Sequence, residues 1–310
     1  MPKRTQRSVK SSIVGLVIDR LEKEAKSKFL TRCLQFVVKS MFSRSFVKVV
    51  LSNVDLGRFA TVSFDCDLHE DVKAYDEVLS ILSRYKIKSS FAVVGKLIEL
   101  YPQEHRMLVE EGHEIVNHTY THPHSKFNSK NFFELDRLEL HNEISRFDEV
   151  CLKVLDYKPV GYRAPHFAHR VDVYDVLRDL GYLYSTSTVA SKTKSFGKPY
   201  TVRGIVEIPL TPCPKYPFMT FATWGIWRSP KRLYDESEFY DLIQWVVDIG
   251  ARYNAYLNFY FDPCDVVVME RFEDILKSLK HRGYKIVQYR ELLEVIKSES
   301  SYNRFGRSHL

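Results

Sequence analysis

The sequence predicts an α/β protein built on a parallel sheet or a βα barrel. From Phe59 onward, short apolar runs of strand length alternate with longer segments of helical periodicity, which is typical of repeated βα units. Polar residues lie just past four of the predicted strands, at Asp65, His118, Arg163 and Asp262. In a βα barrel these strand ends share one face, where catalytic residues gather, so the pattern predicts a functional site at that face.

The predicted strands and helices follow one another without an internal repeat or a low-complexity linker. The strands share a short apolar run and cover residues 59–64, 89–94, 114–116, 159–162, 206–209, 256–261 and 285–287. The helices share apolar residues at helical spacing and cover residues 72–85, 97–111, 132–155, 171–180, 237–253, 269–280 and 289–297. Val78, Leu79 and Leu82 form the apolar stripe of the first of these helices, while Gly112 and Gly181 end two others.

Residues 1–56 differ in pattern from the rest of the chain, and we expect three parts: a basic helical extension at 1–56, the βα region at 57–300 and a tail at 301–310. Apolar residues recur at helical spacing in 13–21 and in 28–42, with basic side chains between them. A basic amphipathic helix suits an anionic membrane surface or a phosphate-bearing carrier, but it also suits packing on its own domain. The sequence leaves both interpretations open.

Composition and charge limit the class of protein. The chain has 310 residues, 45% of them hydrophobic, a formal net charge of +7, five cysteines and no CxxC pair. It is long enough to bury a substantial core, and the lack of a CxxC pair argues against a zinc site made of thiolates. The opening residues lack the apolar core of a signal peptide, and charges interrupt every hydrophobic run. We therefore predict a soluble cytoplasmic protein, associated with the inner face of the membrane if the basic extension binds lipid, and we expect no nucleic acid as a partner.

Two segments about fifty residues apart carry side chains that suit a divalent metal ion. Asp65 and Asp67 stand at alternate positions at the end of a predicted strand, so they leave the same side of the sheet edge. His118 and His122 stand four residues apart, which one helical turn or a tight loop can aim at a single point. One carboxylate and two imidazoles make a three-ligand set with an open position for water, and the other carboxylate remains as a base. This arrangement is typical of a hydrolase.

Three motifs are specific when taken together, namely SFDCD at 63–67, EGHEIVNHTYTH at 111–122 and GYRAP at 161–165. With them, residues 59–296 resemble the NodB-type polysaccharide deacetylases, which form carbohydrate esterase family 4. Softer matches are KSSFAVVG at 88–95, GYLYSTS at 181–187 and VEIP at 206–209. The spaced Asp-x-Asp form is similar to that of the peptidoglycan-deacetylase and allantoinase-like branch. The resemblance implies a distorted (β/α)7 barrel, to which the N-terminal segment adds a helical extension.

The resemblance also implies a role for each matching residue. Asp67, His118 and His122 would bind zinc or a similar divalent ion, which lowers the pKa of a bound water to near neutral and polarises the acetamide carbonyl. Asp65 would be the general base, and Arg163 would hold Asp65 in place and keep it ionised. The implied reaction is hydrolytic removal of an N-acetyl group from an amino sugar.

The chain departs from the family pattern at the last motif, which usually supplies a His as general acid. The matching stretch is NFYFDPCD at 258–265, and Asp262 stands where the His is expected. Three explanations stay open. Asp262 is itself the acid with a pKa raised by burial and by Asp65, or His166 has taken that role, or the protein keeps the metal and has lost most of its turnover.

Three aromatic side chains are candidates for contact with the substrate. Trp224 and Trp227 would stack on a sugar ring, although in a chain with 19 Tyr and 20 Phe they equally suit the core. Tyr162, which precedes Arg163 in the third motif, is the other candidate.

The leading interpretation is a metal-dependent de-N-acetylase whose substrate is an N-acetylated amino sugar in a glycan or on a nucleotide or lipid carrier. The basic extension would favour the phosphates of such a carrier. Two alternatives are an enzyme that hydrolyses another linear or cyclic amide, as in the allantoinase-like relatives, and a catalytically weakened glycan-binding protein that retains the metal.

Overall fold

The computed structural model of the chain describes residues 43–229 and 232–305. The helices predicted for 13–21 and 28–42 lie outside these ranges. Within them, nine strands form one sheet: β1 (Phe59–Cys66), β2 (Ser90–Val93), β3 (Glu114–Asn117), β4 (Gly161–Tyr162), β5 (Tyr184–Ser185), β6 (Tyr200–Val202), β7 (Ile205–Glu207), β8 (Leu257–Phe261) and β9 (Lys285–Ile286).

Twelve α-helices lie in the same described ranges, most of them between successive strands. They are α1 (Ser43–Leu51), α2 (His69–Lys73), α3 (Tyr75–Arg84), α4 (Gly95–Leu100), α5 (Pro102–Glu110), α6 (Arg137–Leu155), α7 (Val173–Asp179), α8 (Trp224–Trp227), α9 (Glu236–Arg252), α10 (Pro263–Val266), α11 (Phe272–His281) and α12 (Tyr289–Phe305). None of these helices combines the length and the apolar character needed to cross a membrane.

Seven strands lie side by side in the order β7, β5, β4, β3, β2, β1, β8, and all of them are parallel. β6 pairs antiparallel with β7, and β9 pairs with the start of β1. The sheet curls so far that the two ends meet: the backbone N–H of Thr211, just past β7, donates to the carbonyl oxygen of Asn258 in β8 at 2.9 Å. The predicted α/β fold with a distorted seven-stranded barrel is therefore confirmed.

Two of the predicted helices are each split into two. The segment predicted at 72–85 forms α2 and α3, which meet at Ala74. The segment predicted at 97–111 forms α4 and α5, and Pro102 begins the second of these because proline lacks the N–H that a helix interior needs.

The ends of two other helices also differ from the prediction. The helix predicted from 132 begins as a 3₁₀ turn at Phe132–Glu134, and the α-helix starts only after Asp136. Oδ1 of Asp136 accepts a hydrogen bond from the backbone N–H of Glu139 at 2.8 Å, which caps α6 at that point. The last helix, α12, continues to Phe305, into the segment predicted as a tail.

The core lies between the sheet and the surrounding helices. β1 has the sequence FATVSFDC and is buried at seven of its eight positions, as expected for a central parallel strand that is covered on both faces. Phe64 stacks on Phe91 of β2 with ring centroids 4.8 Å apart. Inside the barrel the fully buried side chains include Arg163, a residue type that is rarely buried unless it is paired.

Candidate active site

A cleft of about 450 Å³ opens at the carboxyl ends of β1, β3 and β8. Most of the predicted site residues line it, namely Asp65, Asp67, His118, His122, His166, Trp224 and Asp262. Arg163 lies directly behind Asp65, and Arg228 is a further charged residue on the wall. The structure therefore brings together residues that come from distant parts of the chain, as the strand-end pattern predicts.

Asp67, His118 and His122 form a cluster, here called the metal cluster, in which one potential ligand atom from each residue lies within 4.8 Å of the others. Nε2 of His118 is 3.3 Å from Oδ1 of Asp67, and Nε2 of His122 is 3.5 Å from Oδ2. Nδ1 of His118 lies 2.8 Å from the carbonyl oxygen of Arg163. Because that oxygen can only accept, Nδ1 carries a proton, and Nε2 is the atom that offers a lone pair to the cluster when the ring is neutral.

The metal cluster fits a divalent cation. Oδ1 of Asp67 and both ring nitrogens of His122 are buried without a hydrogen-bond partner among the described residues, which is costly unless a ligand satisfies them. Burial lowers the pKa of His122 to about 4, so its ring is neutral near pH 7 and can donate a lone pair. Burial tends to raise the pKa of Asp67, but His122 and His118 outweigh it and lower that pKa below its usual range. Burial tends to lower the pKa of His118, but Asp67 outweighs it and raises that pKa, as in an ion pair. A cation that binds here therefore displaces a proton from His118. An ionised carboxylate and two imidazoles in their neutral form are suitable ligands for zinc.

A tight loop, not a helical turn, places the two imidazoles. Thr119 and His122 both lie in the left-handed region, with φ of 67° and 51°, which is strained for a β-branched residue such as Thr119. The loop is held by its own side chains: the N–H of Thr119 donates to Oδ1 of Asn117 at 2.7 Å, and the N–H of His122 donates to Oγ1 of Thr119 at 3.1 Å. Helix α4 packs so closely on this loop that a Cβ at Gly95 would lie 2.9 Å from the ring of Tyr120.

Asp65 forms an ion pair with the fully buried Arg163. Nη1 of Arg163 donates to Oδ1 of Asp65, while Nη2 donates to Oγ of Ser63 at 2.9 Å and to the hydroxyl of Tyr289 at 2.6 Å. Burial raises the pKa of Asp65, and the charges of Arg163 and His118 oppose that rise. The pair therefore provides an oriented carboxylate beside the metal cluster.

Asp262 directly follows β8 and forms an ion pair with Arg228. Nη2 of Arg228 contacts Oδ2 of Asp262 and lies 2.8 Å from Oδ2 of Asp265. Oγ1 of Thr223 donates to Oδ2 of Asp262 at 3.3 Å. Burial raises the pKa of Asp262 well above its usual value, and Arg228 opposes that rise. Burial and the ion pair thus act in opposite directions on the proton that a general acid must carry.

His166 and Trp224 are exposed at the cleft, whereas Trp227 is not among the residues that line it. The ring centroid of His166 lies 4.6 Å from that of His122, and the backbone of His166 has a φ of 54°. The side chain of Trp224 is 40% exposed. Trp227 is half-buried and packs against the main core, so of the two tryptophans only Trp224 is placed to meet a ligand.

Tyr162 does not reach the cleft, which corrects the prediction that it contacts the substrate. Tyr162 and Arg163 are neighbours on one extended segment, so their side chains point to opposite sides of the sheet. Arg163 points into the barrel, while Tyr162 is fully buried in a cluster that includes Ile144 of α6 and Tyr174 and Leu177 of α7.

Three residues of the site environment are not identified by the sequence analysis: Arg228, Tyr289 and Asp71. The fully buried carboxylate of Asp71 accepts hydrogen bonds from the backbone N–H groups of Asp67 at 3.1 Å and Cys264 at 3.2 Å, and so connects the end of β1 to α10. Its position four residues after Asp67, at the start of a helix, is typical of a capping carboxylate and is a usable signal. Arg228 and Tyr289 have no comparable local signal.

Residues 54–185 match the family model described as polysaccharide deacetylase. This segment contains the metal cluster and the Asp65–Arg163 pair, whereas Asp262 and Trp224 lie beyond it. The match supports the resemblance to this family that the motifs predict.

Relatives with known names support the same family. The peptidoglycan-N-acetylglucosamine deacetylase of Bacillus cereus is 28% identical over 107 residues, which cover 34% of this chain and 36% of that protein. The chitooligosaccharide deacetylase of a Bradyrhizobium species is 32% identical over 68 residues, which cover 22% of this chain and 28% of that protein. The chain thus spans about a third of the length of these relatives, and its own activity has to be argued from its site.

Solved structures share the fold at low sequence identity. A polysaccharide deacetylase-like protein from Mycobacterium smegmatis has a TM-score of 0.66 and 16% identity over 79% of this chain and 92% of its own. A pseudoenzyme of carbohydrate esterase family 4 from Bacillus anthracis has a TM-score of 0.50 and 15% identity over 76% of this chain and 66% of its own. Because proteins named as enzyme and as pseudoenzyme share this fold, the fold alone does not decide activity.

Proposed function

We propose that this protein is a metal-dependent hydrolase that removes the N-acetyl group from an amino sugar. The observation that carries the proposal is a single cleft in which the metal cluster lies beside the Asp65–Arg163 ion pair. A protein that only binds glycans has no need of a carboxylate that a buried arginine holds next to a metal site.

Each residue of the cleft would have its own role in the reaction. A divalent cation in the metal cluster would supply Lewis acidity toward water and toward the acetamide carbonyl. Asp65 would accept the proton of the attacking water, since its carboxylate lies in the cleft and Arg163 holds it in one orientation. Trp224 offers its exposed ring as a surface for the sugar.

Departure of the amine requires a proton donor, and we assign this role to Asp262. Asp262 is buried in the same cleft, and burial raises its pKa, which favours the protonated form that an acid needs. His166 is the alternative donor, because its ring is exposed beside that of His122. The ion pair of Asp262 with Arg228 favours a second candidate function, a metal-retaining glycan-binding protein with weak turnover, since a carboxylate held by a guanidinium is a poor proton donor.

The substrate class follows from the names of the relatives. These are deacetylases of peptidoglycan N-acetylglucosamine and of chitooligosaccharides, so we propose a glycan or glycoconjugate that contains an N-acetylated amino sugar. Four further points are predictions from the sequence: zinc as the cation, a nucleotide or lipid carrier on the substrate, membrane contact through 1–56 and a cytoplasmic location. Hydrolysis of another linear or cyclic amide is the alternative reaction.

Acetate release tests the proposal. Zinc-loaded protein and its Asp65→Asn variant would be compared on N-acetylglucosamine, chitooligosaccharides, and nucleotide-linked and lipid-linked N-acetylated sugars. The wild type should release acetate, and the variant should be slower by about 10²–10⁴-fold because the base is lost. Its zinc content should be unchanged, because Asp65 is not a member of the metal cluster. If the protein binds one zinc per chain and releases no acetate from any of these substrates, the deacetylase proposal is wrong and the glycan-binding alternative is favoured.

A further inference from the structure

We propose that Tyr289 is a positioning residue for this hydrolysis, acting through Arg163 on the general base Asp65. The inference rests on the proposed function, because it assigns a role within that reaction. Tyr289 begins α12, lies 126 residues from Arg163 in the sequence and is fully buried. Its hydroxyl oxygen is 2.6 Å from Nη2 of Arg163.

The contacts with Arg163 and Asn258 fix the direction of the Tyr289 hydroxyl, whose oxygen also lies 3.0 Å from Oγ of Ser63. A guanidinium can only donate, so the hydroxyl oxygen accepts from Arg163. The hydroxyl proton is then donated to Oδ1 of Asn258 at 2.6 Å. Nδ2 of Asn258 lies 3.1 Å from the carbonyl oxygen of Pro209, which can only accept, so the amide has one orientation that satisfies both contacts. Burial raises the pKa of Tyr289, so the phenol keeps the proton that this arrangement requires.

This chain of hydrogen bonds connects the base to the place where the barrel closes. Asn258 belongs to β8, and its backbone carbonyl accepts from the N–H of Thr211 at the seam with the β7 segment. The closed seam therefore orients Asn258, Asn258 orients the hydroxyl of Tyr289, and that hydroxyl holds Arg163.

Few hydrogen bonds orient the Arg163 guanidinium, which also lies 5.5 Å from the ring centroid of Tyr260 and 5.6 Å from that of Tyr289. Nε has no hydrogen-bond partner among the described residues, Nη1 contacts Asp65, and Nη2 is held by Tyr289 and by Ser63. Without the Tyr289 hydroxyl, Ser63 is the remaining side-chain partner of Nη2 within the described part of the chain. The guanidinium plane would then rotate more freely, and the Asp65 carboxylate that it holds would also be less fixed in orientation. A displaced base slows proton transfer and leaves ground-state binding intact, so the loss should fall on kcat.

A pair of Tyr→Phe variants separates positioning from general stability. Tyr256 is the matched control, because it is also a buried tyrosine of the barrel and its hydroxyl donates to Oγ1 of Thr61 at 2.9 Å. We expect Tyr289→Phe to lower kcat by about 10- to 100-fold, the effect of losing one hydrogen bond to a charged group, with unchanged KM and zinc content. The two variants should lower Tm by similar amounts, because each loses one buried hydroxyl. Tyr256→Phe should keep the wild-type kcat.

A second measurement does not depend on turnover. In protein labelled with ¹⁵N-arginine, rotation of the Arg163 guanidinium should be faster in Tyr289→Phe than in the wild type, and unchanged in Tyr256→Phe. A wild type without activity would count against the proposed function, while the rotation rate would still decide the role of Tyr289. Wild-type kcat in Tyr289→Phe, or an unchanged rotation rate, would overturn the inference.

Discussion

Arg228 forms an ion pair with Asp262 on the wall of the cleft that contains the metal cluster. The same Nη2 atom of Arg228 also lies 2.8 Å from Oδ2 of Asp265, so one guanidinium forms ion pairs with two buried carboxylates. Asp262 stands where the resemblance to the family leads us to expect a His. In the proposed reaction, the supply of a proton to the leaving amine therefore depends on the ion pair between Asp262 and Arg228.

Replacement of Asp262 tests that dependence. Asp262→Asn removes the proposed donor and should lower kcat for acetate release by about 10²–10⁴-fold. Asp262→His supplies the usual donor of the family and should retain or raise kcat. The comparison variant is His166→Ala. If Asp262→Asn keeps the wild-type kcat and His166→Ala loses most of it, the general acid is His166.

Removal of a ligand from the metal cluster should abolish metal binding. Asp67→Ala or His118→Ala leaves only two ligands, too few for a stable zinc site, so the zinc content should fall to background while the fold persists. Elemental analysis and circular dichroism would measure the two quantities. Asp76→Ala, which changes an exposed carboxylate on α3, should keep its zinc. Zinc at the wild-type level in both cluster variants would show that the ion binds elsewhere.

Asp71 should affect metal affinity without touching the metal. Its two carboxylate oxygens accept from Asp67 on one side and from Cys264 on the other, and an asparagine keeps only one acceptor oxygen. We expect Asp71→Asn to weaken zinc binding by about 10- to 100-fold, as for other residues that orient a ligand. Competition with a chelator of known affinity would measure the change, with Asp76→Asn as the matched control. Equal affinities in the two variants would rule out this orienting role.

The stability of the protein should fall as the pH decreases from about 6.5 toward 4, in part because of His105. His105 is fully buried on α5, and Nδ1 lies 2.7 Å from the carbonyl oxygen of Tyr101. Burial lowers the pKa of His105 to about 4 from an ordinary value of 6.5. The unfolded chain therefore binds more protons in this window, so the free energy of unfolding rises with pH, by at most about 3 kcal/mol for this group.

Denaturant unfolding at pH 7, 6 and 5 would measure this effect. His105→Gln cannot be protonated, so its free energy of unfolding should depend less on pH than that of the wild type. His281→Gln, at the exposed end of α11, should retain the full dependence. An identical pH dependence in wild type and His105→Gln would exclude His105 as the source.

Much of the fold and of the site could be predicted from the sequence because the signals are local. Asp65 and Asp67 alternate at the end of an apolar run, and His118 and His122 are four residues apart, so spacing alone directs each pair toward one point. The βα rhythm then places both pairs at the same edge of the sheet. Even the error at Tyr162 has a local cause, since its neighbour Arg163 points into the barrel and alternation sends Tyr162 to the other side.

The tertiary structure decided which distant residues meet these local pairs. Tyr289 reaches Arg163 across 126 residues, and Arg228 reaches Asp262 from a separate helix end, contacts that no periodicity in the sequence indicates. Spacing along the chain determines the side from which a residue leaves its own strand or helix. Its partners from other elements depend on how packing of the helices curls the sheet and joins β7 to β8, and this is a property of the whole chain.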